Sequence, residues 1–254
     1  MSTRIRVGLF VTCLVDLVRP QVGFAAVKLL EQASCDVTIP RVQTCCGQPA
    51  WNAGVDEDAR DIARNVIAAF EGFDYVVAPS GSCAGMIKRH YTEVFENDPA
   101  WLPRARALAA KTHELLSFLV KVRGIDAVRA TYAGSVCYHD SCSSRREMGV
   151  VDEPRQLLAS VDGLTLKEIA DRETCCGFGG LFSVKYPEIS ERIADTKITD
   201  VLATGAETLT GGDLGCLLHL AGRMRRDGKN IAVRHVAEIL ADMGDDPALG
   251  QPAK

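Results

Sequence analysis

Eight cysteines of this chain repeat in register. Cys13, Cys45, Cys46 and Cys83 are followed by Cys142, Cys175, Cys176 and Cys216 at offsets of 129, 130, 130 and 133 residues. A nearly constant offset marks an internal duplication, so the chain must fold as two copies of one plan. Glycines keep the same register: Gly47 and Gly177 follow the adjacent cysteine pairs, and Gly72 and Gly205 each lie 11 residues before the last cysteine of their set. Thr112-His113-Glu114-Leu115-Leu116 also resembles His235-Val236-Ala237-Glu238-Ile239-Leu240, which predicts a similar closing helix in each copy. The expected organisation is a first unit over residues 1–123, a second over 124–243, and a flexible tail over 244–254, where periodicity ends.

Within each unit short apolar runs alternate with amphipathic stretches. Ile5 to Val11, Val37 to Pro40 and Asp74 to Pro79 read as strands, as do Ser135 to His139, Thr165 to Ile169 and Thr208 to Gly211. Pro20 to Gln32, Asp58 to Phe70 and Thr112 to Val122 read as helices, matched by Glu153 to Ser160, Pro187 to Leu202 and Val233 to Met243. Ile62, Val66 and Phe70, four apart, mark a buried stripe. Strands alternating with helices through short loops predict an α/β fold: two tandem Rossmann-like repeats, each a parallel sheet covered on both faces. Cys13, Cys83, Cys142 and Cys216 then fall just past strand ends, where open α/β sheets collect their ligands, and one site per half follows.

A formal charge of −4 offers no general attraction to phosphate backbones or acidic membranes, and nucleic acid is excluded as a partner. The start of the chain carries Arg4 and Arg6 before a short apolar run with no small-residue cleavage site, which reads as a buried strand. No run approaches the roughly 18–20 uncharged apolar residues that cross a bilayer. The expectation is a cytoplasmic protein without direct membrane insertion, in which clustered thiols bind metal or do redox chemistry instead of forming disulfides.

Four thiolates from three loops, one an adjacent pair, can surround one inorganic cluster, because iron–sulfur centres take thiolate as their soft ligand. The candidate ligands are Cys13, Cys45, Cys46 and Cys83 in one half and Cys142, Cys175, Cys176 and Cys216 in the other. Zinc competes on ligand identity, although structural zinc sites take ligands in close C-x₂₋₄-C pairs, a spacing neither quartet contains. Buried structural cysteines and a vicinal disulfide are the remaining readings. Gly47 and Gly177 are expected to let the backbone turn sharply and approach the cluster. His139, three residues before Cys142, is a candidate hydrogen-bond donor to the second site. Cys35 and Cys137 have no partner in register and are expected in the core. Gly81-Ser82-Cys83-Ala84-Gly85 matches G-x-C-x-G, the cysteine version of a hydrolase nucleophile elbow.

Thr44-Cys45-Cys46-Gly47 and Thr174-Cys175-Cys176-Gly177-Phe178-Gly179-Gly180 resemble the paired motifs of the CCG cysteine-rich domain family, which includes the cysteine-rich component of heterodisulfide reductase and the iron–sulfur subunits of glycolate and lactate oxidising systems. With Tyr138-His139-Asp140-Ser141-Cys142, Pro79-Ser80-Gly81-Ser82-Cys83 and Gly211-Gly212-Asp213-Leu214-Gly215-Cys216, the resemblance covers roughly residues 5–243 and is strongest to the lactate utilization branch. It implies an iron–sulfur electron-transfer subunit of a multi-protein L-lactate oxidising system, with one [4Fe-4S]-type cluster per half and other iron–sulfur subunits as partners. The chain is then part of an oxidoreductase, with no catalytic residue assigned. The alternative is an interaction scaffold stabilised by zinc or clusters. One departure matters: heterodisulfide reductase closes each domain with C-x-x-C, and Ser80 and Asp213 stand here in the first positions, leaving four ligands per site.

Overall fold

β1 (Ile5–Leu9), β2 (Cys35–Thr38), β3 (Tyr75–Ala78) and β4 (Thr112–Glu114) form one sheet; β5 (Thr131–His139), β6 (Asp162–Lys167), β7 (Thr208–Gly211) and β8 (Ala232–His235) form another. The structure, a computed structural model, describes residues 4–251. Both sheets are wholly parallel and share one order, β2-β1-β3-β4 and β6-β5-β7-β8. The tandem Rossmann-like repeat expected from the cysteine register is therefore the architecture found. In each sheet the order turns back at the first strand, so the crevice at a switch point lies beyond the carboxyl ends of β1 and β3, and of β5 and β7.

The helices form where an apolar stripe can meet a sheet. In Asp56–Phe70 the buried side chains are Ala59, Ala63, Val66, Ile67 and Phe70, one face of a 3.6-residue period. Asp56, Glu57 and Asp58 in its first turn complement the helix dipole. Ile62, expected in the stripe, sits at its half-buried edge.

Two expected helices begin differently. Thr112–Glu114 and Ala232–His235 are strands, and helices start only at Leu115 and Val236. The strands are three and four residues long. Each ends on the residue that caps the next helix: Glu114 accepts from Ser117 N–H, and His235 with Glu238 makes a capping box. Helical periodicity therefore runs up to the strand and hides it. Each sheet consequently gains a fourth strand.

The two halves share one core. Val7, Leu9, Leu29 and Leu30 from the first pack in the same cluster as Val136, Tyr138, Leu157, Val236 and Leu240 from the second. Burial of apolar side chains at about 1.5–3 kcal/mol each makes this contact the main adhesive between the halves. Arg19 Nε donates to the fully buried Glu238 at 2.8 Å, and His235 Nε2 lies 3.2 Å from Pro79 O, both across the same boundary. The chain crosses between halves through 124–130, which forms no regular element. The tail expected to be flexible is anchored as far as Leu249. Ala248 and Leu249 are buried, and Leu249 N–H extends the edge of the second sheet by donating to Val233 O at 2.8 Å. Residues 252–254 of that segment lie outside the described residues.

Glu114 sits inside this boundary with no exposed side-chain surface to speak of, and burial pushes its carboxyl up to about 7, with Asp213 and Glu153 adding to the rise. The folded state thus holds this proton more tightly than the unfolded chain, whose carboxyl titrates near ~4.3. Its contribution to stability is complete below that value and is lost as pH rises through about 7. Glu114→Gln is expected to raise the melting temperature by roughly 5 °C at pH 8 and to leave it nearly unchanged at pH 4, as read by thermal denaturation. An equal effect at both pH values would contradict a buried, proton-linked carboxyl.

Candidate metal centre

Each quartet is assembled from the carboxyl ends of three adjacent strands. Cys13 opens the helix Cys13–Val18 after β1, and Cys83 is the third residue of Gly81–Gly85 after β3. Cys142 opens Cys142–Arg146 after β5, and Cys216 is the third residue of Leu214–Arg226 after β7. All four therefore lie in first helical turns, where backbone N–H groups have no partner within the helix. The adjacent pairs Cys45-Cys46 and Cys175-Cys176 come from the loops after β2 and β6.

Gly47 and Gly177 both adopt φ 85°, a left-handed conformation that suits glycine. At Gly177 a Cβ would stand 2.4 Å from Ser190 O, and at Gly47 it would meet Ile62 at 3.3 Å. The close approach is thus to the neighbouring helix. The sharp turn expected of both glycines is present, and it is packing against that helix that leaves no room for a side chain.

The sulfurs of each quartet face one another. Cys13 Sγ lies 3.9 Å from Cys45 Sγ. Hydrogen bonds from Cys13 and Cys46 hold Cys45 far below the ordinary thiol range, and Cys142 and Cys176 do the same to Cys175. Cys46 and Cys176 are raised because each donates to two neighbouring sulfurs. Cys216 is lowered to about 7, first by the hydrogen bond from Cys176 and then by the nearby His139. Each half thus presents a thiolate among thiols, a set primed to bind a soft metal and release protons. Both quartets line a single cavity of about 530 Å³. Two sites in separate halves therefore open into one space.

A buried carboxylate stands between them. Asp213 accepts from Ser80 Oγ and Ser82 Oγ, each at 2.6 Å, and from Ser141 Oγ; Ser144 Oγ lies at 3.3 Å. Ser80 and Ser82 lie just before Cys83, and Ser141 just before Cys142. One side chain of the second half thereby ties together a cysteine loop from each half. Glycine permits the close approach, because a Cβ at Gly81 would lie 2.6 Å from the Ser144 Cα. Ser80 and Asp213, the two positions that depart from C-x-x-C, turn out to be hydrogen-bonded to each other.

Local bonds fix the remaining loops. Val11 N–H donates to Gln43 Oε1 at 2.9 Å, linking the segment before Cys13 to the one before Cys45. In the second half Arg155 grips Asp140 with two bonds, at 2.9 and 2.8 Å, two residues ahead of Cys142. Tyr91 Oη donates to Cys46 O at 2.9 Å, and Ser190 Oγ to Gly177 O at 2.8 Å. Thr12, which precedes Cys13, holds φ 75°, a strained conformation for a β-branched residue.

All eight cysteines singled out in the sequence are collected in these two sets, and His139 reaches the second. Cys35 and Cys137 are buried within β2 and β5 and line no part of the cavity. The serine–Asp213 clamp and the strained Thr12 carried no recognised sequence signal, apart from Ser80 and Asp213 as departures from a cysteine pattern.

The cysteine-rich domain model, CCG, matches residues 7–88 and 136–221. Lactate utilization protein A of Oceanobacillus iheyensis is 47% identical over 235 residues, covering 92% of this chain and 96% of that protein. The protein of the same name from Exiguobacterium is 48% identical over 236 residues, with 92% and 96% covered. Lactate utilization protein A 2 of Bacillus cereus is 46% identical over 236 residues, with 93% and 98% covered. A putative Asp/Glu racemase of Yersinia pestis overlaps 94% of this chain and 96% of its own at 12% identity and a TM-score of 0.35, too low to argue from.

Asp213→Ala is expected to leave the hydroxyls of Ser80, Ser82 and Ser141 without their shared acceptor and to lower stability by about 3 kcal/mol. The urea midpoint of the metal-free, reduced protein measures this, with an unchanged slope. A loss below about 0.5 kcal/mol would mean that the carboxylate does not clamp the halves.

Proposed function

The chain belongs to the CCG cysteine-rich domain family, and we propose that it serves lactate utilization as an iron–sulfur electron-transfer subunit. The observation that carries this reading is the gathering of eight thiols, in two matched quartets, around one cavity. Cys13, Cys45, Cys46 and Cys83 hold one [4Fe-4S]-type cluster, and Cys142, Cys175, Cys176 and Cys216 hold the other. Such a cluster, when bound, supplies one-electron redox chemistry at a potential set by its ligands, its hydrogen bonds and its exposure.

The protein's own part is to place the thiolates, donate to them and shield them. Gly177 N–H points at Cys175 Sγ at 3.3 Å and Phe178 N–H at Cys176 Sγ at 3.5 Å, donors of the kind that tune a thiolate-bound metal. Cys46 and Cys176 are only 3% and 2% exposed, so the inner edge of each site is dry. Cys13, Cys45, Cys83, Cys142, Cys175 and Cys216 are half-buried on the cavity side, which leaves each site an open edge for exchange with a partner.

The relatives that share nearly the whole length are named for lactate utilization. The same role is assigned to this chain, with electrons from a 2-hydroxy acid such as lactate passing through it and with other iron–sulfur subunits as partners. No helix of the described residues is long and apolar enough to cross a membrane. We place the working complex in the cytoplasm.

One distance favours a second reading. The 3.9 Å between Cys13 and Cys45 sulfurs is close to the ~3.8 Å edge of a tetrahedron built from ~2.3 Å metal–sulfur bonds, as around a single zinc ion. On that reading the metal holds the fold and moves no electrons. The hydrolase reading loses its ground: Cys83 sits in the quartet as a hydrogen-bond acceptor from Cys46.

The two readings part on a variant. Cys45→Ser combined with Cys46→Ser is expected to halve the iron per chain, since each quartet draws its thiols from one half. It is also expected to stop lactate-dependent reduction of an artificial acceptor in a system reconstituted with the partner subunits. Undiminished electron flow in this variant would overturn the electron-transfer reading.

A further inference from the structure

The duplication that built the two sites left them in unequal surroundings. Gly177 lies against Ser190 and Ile193 of the helix Pro187–Ala203, just as Gly47 lies against Ala59 and Ile62 of Asp56–Phe70. The two helices therefore match at an offset of 131 residues, which puts Lys197 in the place of Val66. Both side chains are fully buried. Val66 packs in an apolar cluster with Cys46, Ile67 and Phe70. Lys197 brings an ammonium group to the matching position, where its Nζ donates to Asp171 O at 2.8 Å, in the loop that leads to Cys175.

The strands differ in the same sense. Three residues before Cys142, His139 hydrogen-bonds the Cys216 sulfur. Three before Cys13 stands Phe10, whose ring lies 5.6 Å from that of Phe70 and offers no donor. Nor do the neighbours of Lys197 cancel its charge. Asp140 is the buried carboxylate that faces it, and Arg155 grips that carboxylate with two bonds. Asp171 is exposed, Asp200 is half-buried, and Glu168, the other partner of Arg155, has a half-exposed side chain, so water and salt screen all three. Asp213 bonds serines beside Cys83 and Cys142 alike and weighs on both sites.

We propose that Lys197 and His139 order the pair, making the Cys142 quartet the site that holds an electron more tightly and the Cys13 quartet the one that passes it on. This rests on the electron-transfer reading of the quartets. Potential follows net charge and hydrogen bonds to the ligand sulfurs, and a buried cation and an added donor both favour the reduced, more negative state. One electron leaves the first site, which is oxidised, and the second site is reduced by it. Lys197 and His139 are positioning residues in this step, acting through field and hydrogen bond.

Redox titration of the full, iron-loaded chain without oxygen, followed by electron paramagnetic resonance, tests the inference. The expected result is reduction in two steps at least tenfold apart in electron affinity, about 59 mV for one electron. Cys45→Ser with Cys46→Ser is expected to remove the lower step, and Cys175→Ser with Cys176→Ser the upper. Lys197→Met and His139→Phe are each expected to move the upper step down and leave the lower in place, while Lys197→Arg, which keeps the charge, holds it near its original value. A single step for both sites, or loss of the upper step on substitution of Cys45 and Cys46, overturns the ordering. An upper step that moves in neither Lys197→Met nor His139→Phe overturns the assignment to these residues. Iron-free protein, or iron that dithionite does not reduce, overturns the electron-transfer reading and the ordering with it. The step count and its assignment need no change at Lys197 or His139, so a misfolded variant there cannot protect the proposal.

Discussion

The buried carboxylate of Asp213 is the constraint on which the arrangement of the two cysteine sites depends. It draws Ser80 and Ser82 of the first half and Ser141 of the second onto one group, and those serines sit on the loops that deliver Cys83 and Cys142. Each such hydrogen bond adds about 0.5–1.5 kcal/mol, and three made to one group resist being pulled apart together. Movement at one cysteine loop is thereby felt at the other. Asp213 also stands at the N-cap of Leu214–Arg226, yet its side chain makes no capping bond there and is committed to the serines.

The surrounding packing follows from the duplication. The helix after the first strand of each half rests on the helix after the third strand of the other: Cys13–Val18 on Leu214–Arg226, and Gly81–Gly85 against Cys142–Arg146. Such an exchange of equivalent surfaces is what a two-fold relation between like units produces. It turns the carboxyl ends of both sheets toward one another, and two switch-point crevices that would each face solvent close around one cavity. Both quartets thereby line one shared space.

Much of this was legible in the residues. Cys13, Cys45, Cys46 and Cys83 repeat at a near-constant offset, and that regularity marked the two cysteine quartets and the tandem fold together. Strand–helix alternation then indicated parallel sheets. Hidden features were of two kinds. β4 and β8 are short and run directly into capped helices, so local periodicity reports the helix and covers the strand. The Asp213 clamp joins residues 133 apart in the chain, and a long-range hydrogen bond leaves no periodic trace. Gly177 was conspicuous, but its reason was not, because contact with Ser190 O depends on how a distant helix packs.

The central claim, that these thiols hold redox-active iron, is tested most directly by iron and acid-labile sulfide analysis of protein purified without oxygen, with electron paramagnetic resonance before and after dithionite. The account predicts about four iron and four sulfide per half and a signal that appears on reduction. Zinc in the sites, or no metal after anaerobic reconstitution, would contradict it.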